Sequence, residues 1–319
     1  MPYADTVTAL ELLAVDAGQT GIKLRLRRTD GTVLDDTLPG VLTDRALTPQ
    51  LAAVVEHISQ TTGMTPPTVT FGVSGVTDPQ AEAASLAADP ALAGVSRIVV
   101  AHDSTTSFLG ALGDRSGAVI AVGTGVVTLG VGPARAVRVD GWGHIMGDAG
   151  SGYWIGREAL DAVMRAHDGR GPATALTAVA QRHWPDLDTA YPQLQADPER
   201  VRVVASFARH TAELAADGDR VARGICDRAA AELAHSVLTA LRTSDAPSDA
   251  HVAAIGGVLH AELIRAAFTE HVRAARPQAV FAHALGTGVD GAVALADLAH
   301  DHPLRTIVAE AGPRGPGIR

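Results

Sequence analysis

The sequence predicts an α/β protein built from two related halves, and three observations support this. An apolar strand, a glycine-rich turn and a second strand occur close to the start of the chain. The same order returns about one small domain later. Strand-like and helix-like segments follow one another after each hairpin, which is typical of α/β folds rather than of helix bundles. A chain of 319 residues is long enough for two domains, each with its own core.

The first half begins with a predicted β-hairpin. The apolar run 12–15 leads into the turn 16–21, and the strictly alternating run 22–27 follows it. The later segments are a helix over 49–61, strands over 69–73 and 98–101, and a helix over 104–112. We expect these segments to form a first domain over residues 1–115.

The second half repeats the hairpin, with strands over 118–122 and 126–131 around the turn Gly123-Thr124-Gly125. The later segments are a mostly helical region over 153–241, a short strand over 251–255, a helix from Leu259 and a last helix over 291–299. We expect a second domain over 116–300 with a helical insertion. The Gly- and Pro-rich residues 301–319 are expected to form a flexible tail.

Composition and charge narrow the classes of partner. The formal net charge of −9 disfavours nucleic acid and anionic membranes. Cys226 is the only cysteine, so the chain has no intrachain disulfide and no cysteine-based metal site. The uncharged stretch 117–134 approaches transmembrane length but contains five glycines, so a turn between two strands explains it better. The first eleven residues carry no basic segment, which argues against a signal peptide, and we expect a cytoplasmic protein.

Two residue types are rare or absent. Lys23 is the only lysine among 26 basic residues, and the chain has no asparagine. A GC-rich coding bias explains both facts, but no step of the chemistry can then depend on an asparagine or on a second lysine. The alternating strand around Lys23 favours an outward-facing side chain over a phosphate ligand.

The glycine turns offer backbone N–H groups to anions. A turn with Gly and Thr after a strand presents several N–H groups in one concavity, and such nests bind phosphate oxygens. For residues 16–21 alone, an ordinary hairpin turn is an equally good interpretation. Two such turns at the heads of two similar halves favour a polyphosphate site.

Two aspartates follow predicted strands. Asp16, beside the first turn, can orient a hydrated Mg²⁺, a cation that keeps several waters and takes few carboxylates. Asp103 lies just past the strand 98–101, where ligand sites of α/β sheets concentrate, and it can accept the proton of an attacking hydroxyl. An N-cap of the following helix is an equally good interpretation of Asp103.

The densest pattern is the loop 141–152, in which five of twelve residues are glycine. It contains Trp142, one of three tryptophans, and Asp148. Such a loop suits a sugar, which combines ring contact with hydrogen bonds. The alternative interpretation is a structural loop packed under Trp142.

These motifs, taken in order, resemble the N-acetylglucosamine kinase branch of the BadF/BadG/BcrA/BcrD ATPase family, within the actin/hexokinase/Hsp70 superfold. The resemblance spans about residues 12–298, and the Trp142 loop is its most specific part. The motifs are Asp16-Ala17-Gly18-Gln19-Thr20, Phe71-Gly72-Val73-Ser74-Gly75-Val76, Val122-Gly123-Thr124-Gly125, Gly141-Trp142-Gly143-His144 through Gly156, and Ile255-Gly256-Gly257-Val258.

The resemblance implies a two-domain actin-like ATPase (ribonuclease H-like) fold with ATP in the interdomain cleft and hinge closure around it. It further implies transfer of the γ-phosphoryl group of ATP, with Mg²⁺, to a hydroxyl of an amino sugar, N-acetylglucosamine first. Asp103 falls at the family's catalytic base. The residues implied to hold phosphates and nucleotide are Gly18, Gln19, Thr20, Gly123, Thr124, Gly125, Gly256 and Gly257. Those implied to contact the sugar are Trp142, Gly143, His144 and Asp148.

Three positions depart from the family pattern. The usual Asn after the third strand is missing, and Thr43 and Asp44 stand in that stretch. Val126 replaces a frequent Ser, and Ala149 replaces the usual Glu of the Trp142 loop. Each change removes a polar group from the substrate side, which leaves the identity of the sugar more open than the kinase activity.

Several alternatives remain open on the sequence. The sugar can be glucosamine or another sugar. A family ATPase that activates a partner enzyme through a cysteine-ligated iron–sulfur cluster would need Cys226 at a dimer interface. A non-catalytic sensor joined to a DNA-binding module is disfavoured by the charge and by the short segment before the first strand. The oligomeric state is left open, with a homodimer as one option.

Overall fold

The computed structural model describes residues 9–312, which divide into two compact units. The first unit contains the residues up to Arg115, the short segment Ala134–Ala136 and the residues from Ala284 onward, and the second contains Ser116–Pro133 and Val137–His283. In this part of the chain, no helix is long and apolar enough to cross a membrane.

The strands and helices are numbered in chain order. The strands are β1 (Leu10–Ala17), β2 (Ile22–Arg28), β3 (Val33–Leu38), β4 (Thr68–Val73), β5 (Arg97–His102), β6 (Gly117–Val122), β7 (Val126–Val131), β8 (Ala136–Asp140), β9 (His251–Ile255), β10 (Val280–Phe281) and β11 (Val308–Ala311). The helices are α1 (Leu47–Thr62), α2 (Pro79–Ala88), α3 (Asp103–Leu112), α4 (Gly152–His167), α5 (Leu176–His183), α6 (Ala190–Ala196), α7 (Arg200–Ala216), α8 (Arg220–Thr243), α9 (Glu262–Ala275) and α10 (Gly288–Ala296).

The first unit is built on a six-stranded sheet in the order β11-β5-β4-β1-β2-β3. β1 and β2 form the predicted antiparallel hairpin, and β1, β4 and β5 are parallel neighbours. The alternation of β2 arises because Leu24 and Leu26 are buried while Lys23 faces outward. β3 was not predicted, because its residues are almost all exposed and carry no apolar alternation. The parallel arrangement brings the carboxyl ends of β1, β4 and β5 to one edge of the sheet.

Helices cover both faces of this sheet. Apolar residues of α1 and α2 join the main core, which includes Val15, Leu51 and Phe71. On the other side, Leu12 packs against residues of α10. Helices α3 and α10 approach so closely at Gly110 and Gly291 that a methyl group on either would meet backbone of the opposite helix. Glycine at these two positions therefore permits the helix contact at this face.

The second unit is built on a five-stranded sheet in the order β10-β9-β6-β7-β8. β6 and β7 form the second predicted hairpin, and β9 runs parallel to β6. The long helix α8 starts where Asp219 accepts hydrogen bonds from the N–H groups of Val221 and Ala222. Its apolar side, with Cys226 and Leu233, is buried in the core with residues of β6. The expected helical region over 153–241 is confirmed as α4 to α8, interrupted by turns.

Two expectations at the end of the chain are wrong. Residues from Ala284 onward, including α10, belong to the first unit rather than to the second, because α10 buries Ala292 and Ala296 against β1. Residues 303–311 are ordered rather than flexible, because β11 adds an antiparallel strand to β5 and Arg97 binds Glu310 at 2.7 Å. The rest of the expected tail, 313–319, and residues 1–8 lie outside the described chain.

Two predicted helices differ in their bounds. The segment from Leu259 begins as a short 3-10 turn, Gly257–His260, and α9 starts only at Glu262. The last helix starts and ends earlier than expected, because Thr287 and Asp290 form a capping box at its start and the helix stops at Ala296.

Candidate active site

In the first unit, two carboxylates lie at the carboxyl edge of parallel strands. Asp16 is the penultimate residue of β1, and Asp103 follows β5 as the first residue of α3. Ser74 follows β4, between them in the sheet order, and its side chain hydrogen-bonds to Asp103. The negative charge of Asp103 also raises the pKa of Asp16. The sheet thus gathers one electrostatic cluster from three separate segments of sequence.

Asp103 is held in its ionised form. Burial by itself raises its pKa, but the hydrogen bond and the positive charge of His102, followed by hydrogen bonds from Ser74 and the N–H of Ser104, outweigh this and hold the pKa below its usual value. A carboxylate that stays ionised near neutral pH can accept a proton from a hydroxyl. The N-cap position of α3 is occupied by His102, and Asp103 is the first residue of the helix, although its carboxylate also accepts the N–H of Ser104.

Asp16 has the opposite shift. Burial, followed by the charge of Asp103, raises its pKa to about 6, while Lys23 and a 3.4 Å hydrogen bond from the Thr106 hydroxyl act in the other direction. Lys23 stands directly across from Asp16 in the β1–β2 register. A methyl group on Gly288 would lie 2.3 Å from Oδ2 of Asp16, so the carboxylate sits against bare backbone. The Asp16 carboxylate is therefore a candidate ligand for a cation.

The first glycine turn is closed by backbone hydrogen bonds. The N–H of Gly18 donates to the carbonyl of Gly21 at 3.1 Å, and the carbonyl of Gly18 accepts from Val41 at 3.0 Å. Gln19 and Thr20 are exposed at the tip. Their side chains are therefore accessible to solvent, and a role for them in binding phosphate stays a prediction.

Thr43 is connected to this turn. Nε2 of Gln19 donates to Oγ1 of Thr43 at 3.4 Å. The Thr43 methyl group also lies over Gly75, where an added methyl group would approach it to 2.7 Å. Asp44 is exposed in the same connection. The structure thus brings Thr43 to the carboxyl edge of β1 and β4, and a role for Asp44 stays a prediction.

In the second unit, the turn Gly123-Thr124-Gly125 is tied to the start of α4. The N–H of Gly123 donates to the carbonyl of Gly125 at 2.9 Å, which closes the turn. The carbonyls of Gly123 and Thr124 accept from Gly152 and Tyr153, each at 2.9 Å. The turn is therefore fixed against a helix N-terminus, whose dipole favours nearby anions.

Asp148 connects this turn to the Trp142 loop. It is buried, adopts a positive φ of 61°, and accepts the N–H of Gly143 at 3.1 Å. A methyl group on Gly125 would lie 2.6 Å from its Oδ2, so the Asp148 side chain would have to shift to make room for one. Burial and then the charge of Asp140 raise the pKa of Asp148 to about 6, against hydrogen bonds from the N–H groups of Gly143 and Val126.

The Trp142 loop has an exposed aromatic side chain. The Trp142 ring is 61% exposed, with the Arg138 guanidinium 5.4 Å from its centre. The His144 ring lies 4.5 Å from that of Tyr153. The alternative of a loop packed under Trp142 is not supported, because the ring faces solvent.

The third glycine motif lies beside the second. Gly256 has a φ of 103°, and a methyl group on it would lie 2.3 Å from the carbonyl oxygen of Val122 at the end of β6. Gly257 lines a cavity of about 830 Å³ together with Gly123 and Thr124. The other walls come from α4, α7 and the start of α9, with Gly152, Arg202, Ser206, Arg209, Val258, His260 and Glu262 among the lining residues. Two motifs far apart in the sequence thus share one cavity.

Sequence reasoning missed several residues of these two clusters. His102 and Ser74 contact Asp103, and Asp140 holds the Trp142 loop through hydrogen bonds to Gly141 and Asp148, both at 2.9 Å. The adjacent pair His102-Asp103 at a strand end was a usable signal for His102. No sequence pattern distinguishes Asp140, or the α7 residues that line the cavity.

The chain is similar to known proteins over most of its length. A family model described as the BadF/BadG/BcrA/BcrD ATPase family matches residues 13–296. The chain belongs to the BadF/BadG/BcrA/BcrD ATPase family. This family membership confirms the resemblance stated from the motifs, and the family's description implies the use of ATP.

Individual proteins are similar to this chain over different shares of its length. An N-acetylmuramic acid/N-acetylglucosamine kinase of Clostridium acetobutylicum is 40% identical over 81 residues, which are 25% of this chain and 26% of that protein. The chain thus matches about a quarter of the length of its curated relatives. The crystal structure of a candidate N-acetylglucosamine kinase of Chromobacterium violaceum has 26% identity and a TM-score of 0.71, over 90% of this chain and 99% of the other.

The similarity to a hexokinase structure concerns the fold class of this chain. The ROK hexokinase of Thermus thermophilus superposes with a TM-score of 0.52 at 16% identity, over 89% of this chain and 97% of the other. At this identity the similarity concerns the fold alone. With the two sheets described above, it confirms the expected α/β, two-domain actin-like fold.

Proposed function

We propose that the protein is an ATP-dependent sugar kinase that transfers the γ-phosphoryl group of ATP to a hydroxyl of an amino sugar. Family membership and the similarity to the Chromobacterium violaceum structure over nearly its whole length support the proposal. The observation that carries it is Asp103, a carboxylate kept ionised at the carboxyl edge of β5.

Asp103 is proposed as the catalytic base. The acceptor hydroxyl loses its proton to Asp103 while its oxygen bonds to the γ-phosphorus. The bond from that phosphorus to the β,γ-bridging oxygen breaks, and its electron pair leaves with ADP. The lowered pKa of Asp103 keeps it ready to accept a proton at neutral pH.

The second unit supplies the proposed nucleotide site. The cavity of about 830 Å³ has the size of common ligand pockets, which span roughly 300–1,000 Å³. We assign the phosphates to Gly123, Thr124 and Gly125, and the adenosine to the part of the cavity beside Gly256 and Gly257. In the first unit, Gly18, Gln19 and Thr20 are proposed to contact phosphate oxygens.

Asp16 is proposed to hold Mg²⁺. Its partly buried carboxylate has a raised pKa and faces the negative charge of Asp103. A bound cation would offset both the burial of the carboxylate charge and its repulsion from Asp103. Within residues 9–312, no group of three or more His, Cys, Asp or Glu side chains forms a ready metal cage. Mg²⁺ takes one or two carboxylates and completes its shell with water and phosphate. The cation would neutralise charge on the transferring group.

N-acetylglucosamine is the proposed first substrate, because similar proteins carry that substrate in their names. Trp142, Gly143, His144 and Asp148 are proposed to contact the sugar. Asp148 can accept from a sugar hydroxyl above pH 6, and the exposed Trp142 ring can cover a sugar face. Thr43 and Asp44 are proposed substitutes for the missing family asparagine. Because the reaction consumes ATP, the proposal also places the protein in the cytoplasm.

The alternative of a partner-activating ATPase with an iron–sulfur cluster is less well supported. Cys226 is fully buried in α8, and burial raises the pKa of its thiol to about 12. A thiol in this state is a poor cluster ligand, because the ligand form is the thiolate.

An assay of ADP release over a sugar panel tests the proposed function. The panel contains N-acetylglucosamine, N-acetylmuramic acid, glucosamine and glucose, each with ATP and Mg²⁺, and mass spectrometry of the sugar product. We expect sugar-dependent ADP release with N-acetylglucosamine or a close analogue. ATP hydrolysis at the same rate with and without every sugar would contradict the proposal.

A further inference from the structure

The imidazole of His102 faces the proposed base. His102 is the last residue of β5, its side chain is 17% exposed, and its Nδ1 lies 2.8 Å from Oδ1 of Asp103. The same Nδ1 lies 3.1 Å from the backbone nitrogen of Ser104 and 2.9 Å from its hydroxyl oxygen. One nitrogen therefore meets a carboxylate oxygen, an N–H donor and a hydroxyl.

The proton on Nδ1 decides which of these contacts is favourable. Without it, Nδ1 accepts the N–H of Ser104, but its lone pair then points at Oδ1 of Asp103. That oxygen is buried and has no other donor among the described residues. A buried charged oxygen without a donor is more costly than a buried neutral polar group without a partner. The N-cap contact alone therefore leaves the base in an unfavourable state.

A proton on Nδ1 provides the donor that Oδ1 of Asp103 lacks. Nδ1–H then donates to Oδ1 of Asp103, and the N–H of Ser104 still has an acceptor because it also hydrogen-bonds to the Asp103 carboxylate. The nearby charge of Asp16, balanced in part by Lys23, makes a donor at Asp103 more favourable still. His102 and Asp103 then form one hydrogen-bonded pair.

We propose that His102 is a positioning residue for Asp103, whose Nδ1–H holds Oδ1 and leaves Oδ2 to take the proton of the acceptor hydroxyl. The inference rests on the proposed function of Asp103 as the base. In the transfer step, the proton of the hydroxyl goes to Oδ2, and the proton on Nδ1 stays in place. His102 acts through the orientation of the carboxylate and touches no reacting atom.

A matched pair of variants separates this role from helix capping. The two variants are His102→Asn and His102→Asp. The Asn and Asp side chains have nearly the same shape as each other, and both residues are good N-caps. Only the Asn amide can also donate to Oδ1 of Asp103, whereas Asp places a second negative charge beside it. We expect His102→Asn to keep kcat within about fivefold and His102→Asp to lower it about 100-fold or more, with the KM for ATP unchanged in both. We also expect the acidic limb of the kcat–pH profile to move to higher pH in His102→Asp.

Equal kcat values in the two variants, with both folded by circular dichroism, would show that His102 is only a cap and would overturn the proposal. A second measurement needs no kinase activity. Long-range ¹H–¹⁵N NMR of the imidazoles reports which ring nitrogen carries the proton, and the spectrum of His102→Asn identifies the signal of His102. We expect a protonated Nδ1 in the unliganded protein at pH 7.5, and an unprotonated Nδ1 would overturn the inference. Inactivity towards every sugar would refute the proposed function, while the NMR result still decides the pairing.

Discussion

Asp140 accepts a hydrogen bond from the backbone N–H of Asp148, with its Oδ1 2.9 Å from the nitrogen. Both residues adopt positive φ values, 59° and 61°, which short polar side chains tolerate better than most. The contact closes the Trp142 loop and brings two carboxylates close together. This proximity, together with burial, is why the pKa of Asp148 rises to about 6.

The pKa of Asp148 predicts a pH dependence of sugar binding. Above pH 6 the ionised carboxylate accepts a charge-assisted hydrogen bond from a sugar hydroxyl, and below it the protonated group is only a weaker, neutral acceptor. We expect the KM for the sugar to rise as pH falls below 6, by up to about tenfold per pH unit, with the KM for ATP unaffected. Asp148→Asn should raise the KM at pH 8 and flatten its pH dependence. Parallel pH profiles of wild type and variant would contradict a contact between Asp148 and the sugar.

Asp103→Asn is expected to lower kcat by a factor of about 10²–10⁴, because the amide cannot accept the hydroxyl proton. The Kd for ATP, measured by calorimetry, should stay within about threefold. Asp78→Asn is the matched control, since Asp78 also stands at a helix N-terminus, where it accepts the N–H of Ala81 at 3.0 Å, and is placed in no site. Near-normal turnover in Asp103→Asn would exclude Asp103 as the base.

Two glycine substitutions should separate a ligand role from a structural one. A methyl group on Gly123 meets no protein atom within 4 Å, so Gly123→Ala should keep the melting temperature but raise the Kd for ATP about tenfold or more. A methyl group on Gly256 would clash with the carbonyl oxygen of Val122 at a positive φ, so Gly256→Ala should lower the free energy of unfolding by about 2 kcal/mol or more. Thermal melts and calorimetry measure both. Unchanged ATP affinity in a folded Gly123→Ala would remove this turn from the nucleotide site.

Asp16→Asn should stabilise the metal-free protein while impairing it as a kinase. The pKa of Asp16 is about 6 in the folded protein, against an ordinary value of 3.8 for an aspartate, so its contribution to stability is lost as pH rises from about 4 to about 6. Asparagine avoids this loss, so the melting temperature in EDTA should rise by about 2 °C or more at pH 8 and by less at pH 4.5. The Mg²⁺ concentration needed for half-maximal activity should rise. An unchanged Mg²⁺ requirement would contradict the metal assignment.

The sequence predicts those strands and helices whose buried residues recur at a regular spacing along the chain. Both hairpins and the strands β4, β5 and β9 are confirmed, because their apolar runs end at glycine or polar residues that stop a strand. β3, whose residues are nearly all exposed, and the two-residue β10 carry no such pattern, since pairing with neighbours makes them strands. β11 was hidden in a Gly- and Pro-rich end and forms by pairing with β5.

The sequence by itself determined the family, the order of the glycine motifs and the two aspartates at strand ends, because these depend on local residue types. Only the tertiary structure decided that His102 and Ser74 surround Asp103 and that Asp140 sets the pKa of Asp148 together with burial. It also decided that residues from Ala284 onward belong to the first unit. Burial, charge proximity and strand pairing join residues far apart in the chain, and no local pattern of residue types encodes those distances.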